Sequence, residues 1–170
     1  MTRYIALLRA VNVGGTGKLP MADLRAMCSE AGFVRIETYI ASGNVIFESG
    51  AAPSDVKAGL EARLLAYAGK PAAVLIRTAA EMSAVLAANP FPGAEPKYTY
   101  AIFLDQRPPA DALDHVTGQN GEEIRLGERE IFVHYGRGMG NSKLKIPAAK
   151  PGTGRNMNTV AKLAELASKP

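Results

Sequence analysis

Two segments far apart in the chain share a composition suited to holding an anion. The first is Leu8-Arg9-Ala10-Val11-Asn12-Val13-Gly14-Gly15-Thr16-Gly17-Lys18. The second is Gly136-Arg137-Gly138-Met139-Gly140-Asn141-Ser142-Lys143, followed by Thr153-Gly154-Arg155-Asn156-Met157-Asn158-Thr159. Each joins glycines to Arg, Lys, Asn and a hydroxyl residue, and neither holds an acid. Glycine leaves backbone N–H groups bare, and cations beside them favour a phosphate or carboxylate. Ser42-Gly43-Asn44 adds a third polar turn. The candidate ligand residues are Arg9, Asn12, Gly14, Gly15, Lys18, Ser42, Asn44, Arg137, Lys143, Arg155, Asn156 and Asn158.

Known motifs do not sharpen this chemistry. A nucleotide-binding P-loop needs Gly, four residues, then Gly-Lys-Ser/Thr. Counting back from Gly17 puts Asn12 where the first glycine should stand, and Leu19 follows Lys18 where the metal-binding hydroxyl should. An anion nest with Lys18 as counter-charge and a plain strand-to-helix turn both remain open for that loop. Ser42 follows Ile40-Ala41 and lacks the first glycine of an esterase elbow. Gly136-x-Gly138-x-Gly140 follows a strand, but no helix or ribose-binding acid comes at dinucleotide spacing. Arg155 to Thr159 stands at a helix start, where backbone N–H groups favour an anion; Asn156 or Asn158 as a simple helix cap is the alternative. His115 and His134 have no Cys or second His at metal spacing, so no metal site is expected. Cys28 falls on an apolar stripe and reads as packing, as do Met139 and Met157. Tyr39, Tyr98, Tyr100 and Tyr135 could stack on bases, but strand positions read as core.

The elements that must position these residues follow from periodicity and punctuation. Tyr4 to Val11 reads as a buried strand, and Pro20 opens a helix carrying Leu24, Met27, Cys28 and Ala31, ended by Gly32. Val34 to Ile40 and Val45 to Phe47 form a hairpin, then Pro53 opens a helix with Val56, Leu60, Leu64 and Tyr67 on one side. A strand over Ala72 to Ile76 completes β-α-β-β-α-β, the ferredoxin-like order. Thr78 and Glu81 form a capping box before a helix through Ala88. Thr99 to Leu104 reads as a strand, Pro108 to Val116 as a short helix, and Glu123–Leu126 with Glu130–Tyr135 as a hairpin. Gly136 to Gly152 reads as a long loop with a turn near Lys143-Leu144, before a last helix carrying Val160, Leu163 and Leu166. A loop of that length in a compact domain is more often functional or mobile.

Composition bounds the rest. The chain has 170 residues and a formal net charge of +4. That length allows one domain or two small halves and burial of roughly two thirds of the unfolded surface. No apolar run approaches the ~18–20 residues of a membrane span, and the N-terminus reads as a strand and not a signal peptide. The single cysteine excludes an internal disulfide and fits a reducing cytoplasm. From Ile131 to Ala164 there is no Asp or Glu, while Arg137, Lys143, Lys145, Lys150, Arg155 and Lys162 all fall there. That stretch predicts a positive face, whether for a ligand or for solubility.

Three blocks carry a resemblance to a known family. They are Leu8 to Gly15, Leu19-Pro20-Met21-Ala22-Asp23-Leu24 with Tyr39 to Phe47, and the late pair Ser142-Lys143-Leu144 and Gly154 to Val160. Together they resemble the signatures of an uncharacterised bacterial family, domain-of-unknown-function family 1697. The family often has Thr-x-Arg-Asn-Trp-Asn-Thr at its end; here Met157 takes the Trp place. The resemblance implies an α+β fold of two related ferredoxin-like halves, and no reaction. The expectation is therefore two βαββα-type halves packed together, over 1–78 and 79–170, with antiparallel sheets and helices on one face. The expected function is binding of a phosphate-bearing ligand, nucleotide or nucleic acid, at a basic Gly/Asn-rich cleft. Alternatives are a phosphoryl- or nucleotidyl-transfer enzyme, which would need a distant acid folded into the cleft, and a protein-interaction module whose polar motifs are structural.

Overall fold

The computed structural model describes residues 1–9, 18–40, 43–136 and 138–170. It forms two compact units, Met1–Met82 with Leu163–Pro170, and Ser83–Lys162. In order the first unit's elements are β1 (Thr2–Leu8), α1 (Met21–Glu30), β2 (Val34–Tyr39), β3 (Asn44–Ser49), α2 (Pro53–Ala68) and β4 (Val74–Thr78). The strands make an antiparallel sheet ordered β2-β3-β1-β4. Strand period 2 sends Tyr4, Ala6 and Leu8 to one face, where they meet Leu24, Met27 and Cys28 of α1 and Val56, Leu60 and Leu64 of α2. Ile5 and Leu7 on the other face are fully buried too, which is why β1 reads as an unbroken apolar run.

Local chemistry sets the ends of these elements. Gly32, at φ 86°, lets α1 close by Gly32 N–H to Ser29 O and Phe33 N–H to Cys28 O, both 3.0 Å. Phe33 then stacks on Phe47 with ring centroids 4.2 Å apart. Glu61 of α2 accepts from the Val74 N–H and the Lys57 ammonium, both at 2.9 Å, and so ties α2 to the start of β4. Tyr67 does not join the packed side of α2 as its spacing predicts. It is 48% exposed and donates to Asp23 Oδ2 at 2.7 Å. Its polar end finds the Asp23 carboxylate on α1, and a phenol can keep one end at the surface in this way. Cys28 is buried, and burial pushes its thiol up to about 12 against the weaker opposite pull of Arg63.

The capping box is present: Thr78 N–H donates to Glu81 Oε1 at 2.8 Å, and Glu81 N–H donates to Thr78 Oγ1 at 3.1 Å. It opens α3 (Ala79–Ala87). The second unit contains β5 (Thr99–Phe103), β6 (Glu123–Leu126), β7 (Glu130–His134) and β8 (Thr153–Asn156), in an antiparallel sheet ordered β6-β7-β5-β8. The helix α4 (Met157–Ala167) follows. Relabelled from the first strand of each sheet, the two orders are identical. The fold is α+β, with two similar halves.

Three expectations change here. The helix expected over Pro108 to Val116 is a 3₁₀ turn, Ala112–His115; so short a segment makes too few hydrogen bonds to offset helix nucleation. The strand β8 was not expected. Thr153-Gly154-Arg155-Asn156 has no apolar alternation, and its strand exists through pairing with β5, from Phe103↔Thr153 to Tyr100↔Asn156. The loop from Gly136 to Gly152 carries 3₁₀ turns at Met139–Asn141 and Pro147–Ala149. It packs Leu144, Ile146, Ala148 and Ala149 onto the cluster of Leu104, Ile124, Ile131 and Val133.

The core assignment has a direct check. Leu60 is fully buried and Leu65, on the same helix, is 47% exposed. Leu60→Ala should lower unfolding free energy by about 2–5 kcal/mol and Leu65→Ala by under about 0.5 kcal/mol. Urea unfolding monitored by circular dichroism measures both.

Candidate functional site

The second unit holds a cavity of about 610 Å³ between the turn Gly118 to Glu122 and the segment Tyr135 to Lys143. Two local features bring these segments together. Thr117 and Lys145 exchange backbone hydrogen bonds, Thr117 N–H to Lys145 O at 3.0 Å and Lys145 N–H to Thr117 O at 2.8 Å. Beside that bridge, Gly118 sits at φ 71° so close to Lys143 that a Cβ there would lie 2.0 Å from the Lys143 carbonyl oxygen. Only glycine fits both the backbone angle and the gap.

An acid lies at the centre of this contact. Glu122 is buried, and its carboxylate accepts from the Ser142 hydroxyl and from the Asn120 N–H. Ser142 Oγ in turn accepts from Leu144 N–H at 3.2 Å. Gln119 Nε2 donates to the Glu122 carbonyl at 2.6 Å. The Ser142 hydroxyl first, then the amides of Asn120 and of Glu122 itself, hold the Glu122 carboxyl below the usual carboxylate range. Glu122 is therefore an anion at neutral pH. Its proton affinity is lowered, the wrong direction for a general base acting on Ser142. Tyr135 closes another side. Burial first, then Tyr100 and Glu122, pushes its phenol up, so it stays a neutral donor. Its ring meets Tyr100 edge-on, 5.4 Å between centroids at 87°. Lys143, another lining residue, is exposed.

Glu122 is not evident from the sequence because it stands outside the basic stretch, which has no acid of its own. The available signal was the pair of glycines in Gly118-Gln119-Asn120-Gly121-Glu122, both at positive φ, 71° and 86°. Two glycines three apart around polar residues mark a turn that presents the next side chain.

The other expected residues are spread over both units. Lys143 is the one among the described residues that lines the cavity. Arg155 is buried in β8 and donates to Thr153 Oγ1 at 2.7 Å and to the Gly154 carbonyl at 2.9 Å. Desolvation pulls its guanidinium down to about 10, still charged at neutral pH. Asn156 caps α4, its Oδ1 accepting from Thr159 N–H at 2.9 Å, and Asn158 is exposed on the first turn. In the first unit Asn44 is buried and its amide donates to Tyr39 O at 2.9 Å, across the mouth of the β2–β3 hairpin. Arg9 is half-buried, with its N–H on Ala73 O at 2.9 Å, and Lys18 is exposed. Asn12, Gly14, Gly15, Ser42 and Arg137 lie outside the described residues. Among the described residues no cluster of His, Cys, Asp and Glu could hold a metal, and no helix is long and apolar enough to cross a membrane.

Two variants test the geometry. Gly118→Ala should cost at least about 2 kcal/mol of stability, from strain at positive φ and the collision with Lys143, as read by urea unfolding. Glu122→Gln should lower the melting temperature at pH 7, and that difference should shrink on acidification. The folded carboxyl is held low, so the unfolded chain takes up the proton first as pH falls, and the advantage of the charged side chain is lost as pH drops through and below the usual carboxylate range. A difference that does not change over that range would rule out the ionised arrangement.

The comparisons with known proteins agree with this fold. No curated protein matches the chain. The conserved bacterial protein SP0830 from Streptococcus pneumoniae is similar in structure, with a TM-score of 0.80 at 24% identity, over 98% of this chain and 99% of that one. At that identity the likeness carries the fold alone. The family described as protein of unknown function, DUF1697, matches residues 1–132. The chain, by that match over most of its length, belongs to the DUF1697 family.

Proposed function

We propose that this chain binds a phosphate-bearing ligand, nucleotide or nucleic acid, at the cavity of its second unit. One observation carries the reading. A single space of about 610 Å³ is lined by four glycines, Gly118, Gly121, Gly136 and Gly138, by the hydroxyl-bearing Tyr135 and Ser142, and by Lys143. Glycine lets backbone N–H groups approach a ligand closely, and a flexible ammonium supplies the counter-charge. The volume falls within the roughly 300–1,000 Å³ usual for small-molecule sites. A cytoplasmic setting belongs to the same proposal, supported by the lone and buried cysteine.

A second reading is favoured by a different observation. The Glu122, Ser142 and Asn120 hydrogen bonds hold the two loop segments to each other. On that reading the polar residues are structural and the chain acts through protein partners.

A thermal-shift series at low salt separates the two. The panel is nucleotides, sugar phosphates and short RNA and DNA. On the binding reading, a phosphate-bearing probe raises the melting temperature with concentration, by up to about 2.7 kcal/mol of stability at a hundred times Kd. The shift fades as salt rises and is lost in Lys143→Ala. Absence of any shift, with Glu122→Gln alone lowering the melting temperature, selects the structural reading.

A further inference from the structure

A site for a bare anion has no use for a buried carboxylate, and this cavity has one. We infer that its ligand is a nucleoside monophosphate, its single phosphate at the Lys143 side and a ribose hydroxyl on Glu122, and not a polyphosphate or a nucleic-acid strand. The inference rests on the phosphate reading of the same cavity and names the ligand class.

Charge is the first argument. Among the described lining residues Lys143 is the cation and Glu122 the anion. Glu122 stays ionised because Ser142 and two amides bind its charged form. One phosphate can sit by Lys143 while the ligand's neutral part faces Glu122. A second or third phosphate in line would be driven onto a carboxylate in a partly desolvated space. A nucleic-acid strand carries the same difficulty at every residue.

Hydrogen-bond capacity is the second. A carboxylate offers about four acceptor positions. The Ser142 hydroxyl and the Asn120 amide occupy two of them. The capacity left over calls for a donor, and on a ligand that already carries a phosphate a hydroxyl is such a donor. A ribose hydroxyl supplies that donor without adding charge, as an acidic side chain does for the ribose in dinucleotide sites. Inorganic phosphate has no such group apart from its charged centre.

Tyr135 is the third. Its ring is braced edge-on by Tyr100 at 5.4 Å, and its phenol stays protonated. A rigid ring with a donor at its tip gives a base both a surface and a hydrogen bond at small entropic cost. A cation, a carboxylate and an aromatic residue among the lining residues are the types that a phosphate, a sugar and a base call for.

Calorimetric titration of the full chain at low salt tests this, with the four ribonucleoside monophosphates, ATP, ribose phosphate, inorganic phosphate and a short single-stranded RNA as probes. At least one nucleoside monophosphate should bind about tenfold or more tighter than inorganic phosphate, ribose phosphate and ATP. Glu122→Gln, checked for folding by its melting curve, should cut the preference over ATP about tenfold. Equal binding of inorganic phosphate or ribose phosphate overturns the nucleotide assignment and leaves the phosphate reading standing. Tighter binding of RNA or ATP than of any monophosphate overturns it in favour of those ligands. No binding by any phosphate-bearing probe removes both readings. If Glu122→Gln does not fold, the ranking of probes on the natural chain alone decides.

Discussion

The candidate site depends on one steric constraint, the passage of the Lys143 carbonyl across the α-carbon of Gly118. A side chain there would begin 2.0 Å from that oxygen. Because Gly118 has none, the turn from Gly118 to Glu122 lies against the segment that carries Ser142 and Lys143. The Thr117–Lys145 bridge fixes the register of that contact. The Glu122 carboxylate can then reach Ser142, and the Tyr135 ring and the glycine backbones face a common space. Without the close approach, the two loops would be separate polar surfaces.

That constraint acts on a regular scaffold. Each sheet places its first strand next to its last, and a hairpin on the other side. The edge strands β4 and β8 each carry a buried arginine. Arg77 pairs with Ile5, and Arg155 pairs with Ala101. Each guanidinium donates to the carbonyl of the residue just before it, Ile76 or Gly154. Charged groups are kept inside a protein only when their hydrogen bonds are met. The repeated position and geometry make these arginines part of how each half is built. Arg155, whose type and neighbours suggest a ligand-facing cation, is buried and donates to Thr153 and Gly154.

The site also reverses the electrostatics that composition suggests. The stretch from Ile131 to Ala164 is free of acids, yet in space a carboxylate sits against its serine. The charge is tolerated because the Ser142 hydroxyl and the Asn120 amide bind it, which also keeps it ionised. A cavity with, among its described residues, one cation, one anion and a protonated phenol discriminates by pattern more than by net charge. This is the physical difference between a basic surface and a site with a preferred ligand.

The sequence by itself determined the elements whose signals are local. The apolar run of β1, the stripe of Leu24, Met27 and Cys28, the Gly32 stop and the Thr78–Glu81 capping box are all written in residues within a few positions of one another. The same holds for Asn156 as the cap of α4. Loop composition also pointed to the segment around Lys143. Tertiary structure alone decided the rest. β8 has no strand pattern of its own and exists through pairing with β5. Tyr67 has the spacing of a core residue and remains exposed. Glu122 lies twenty residues from Ser142, and no local rule links them. Propensity and periodicity report on neighbours along the chain, whereas a site built where two loops cross depends on a clearance only the folded backbone defines.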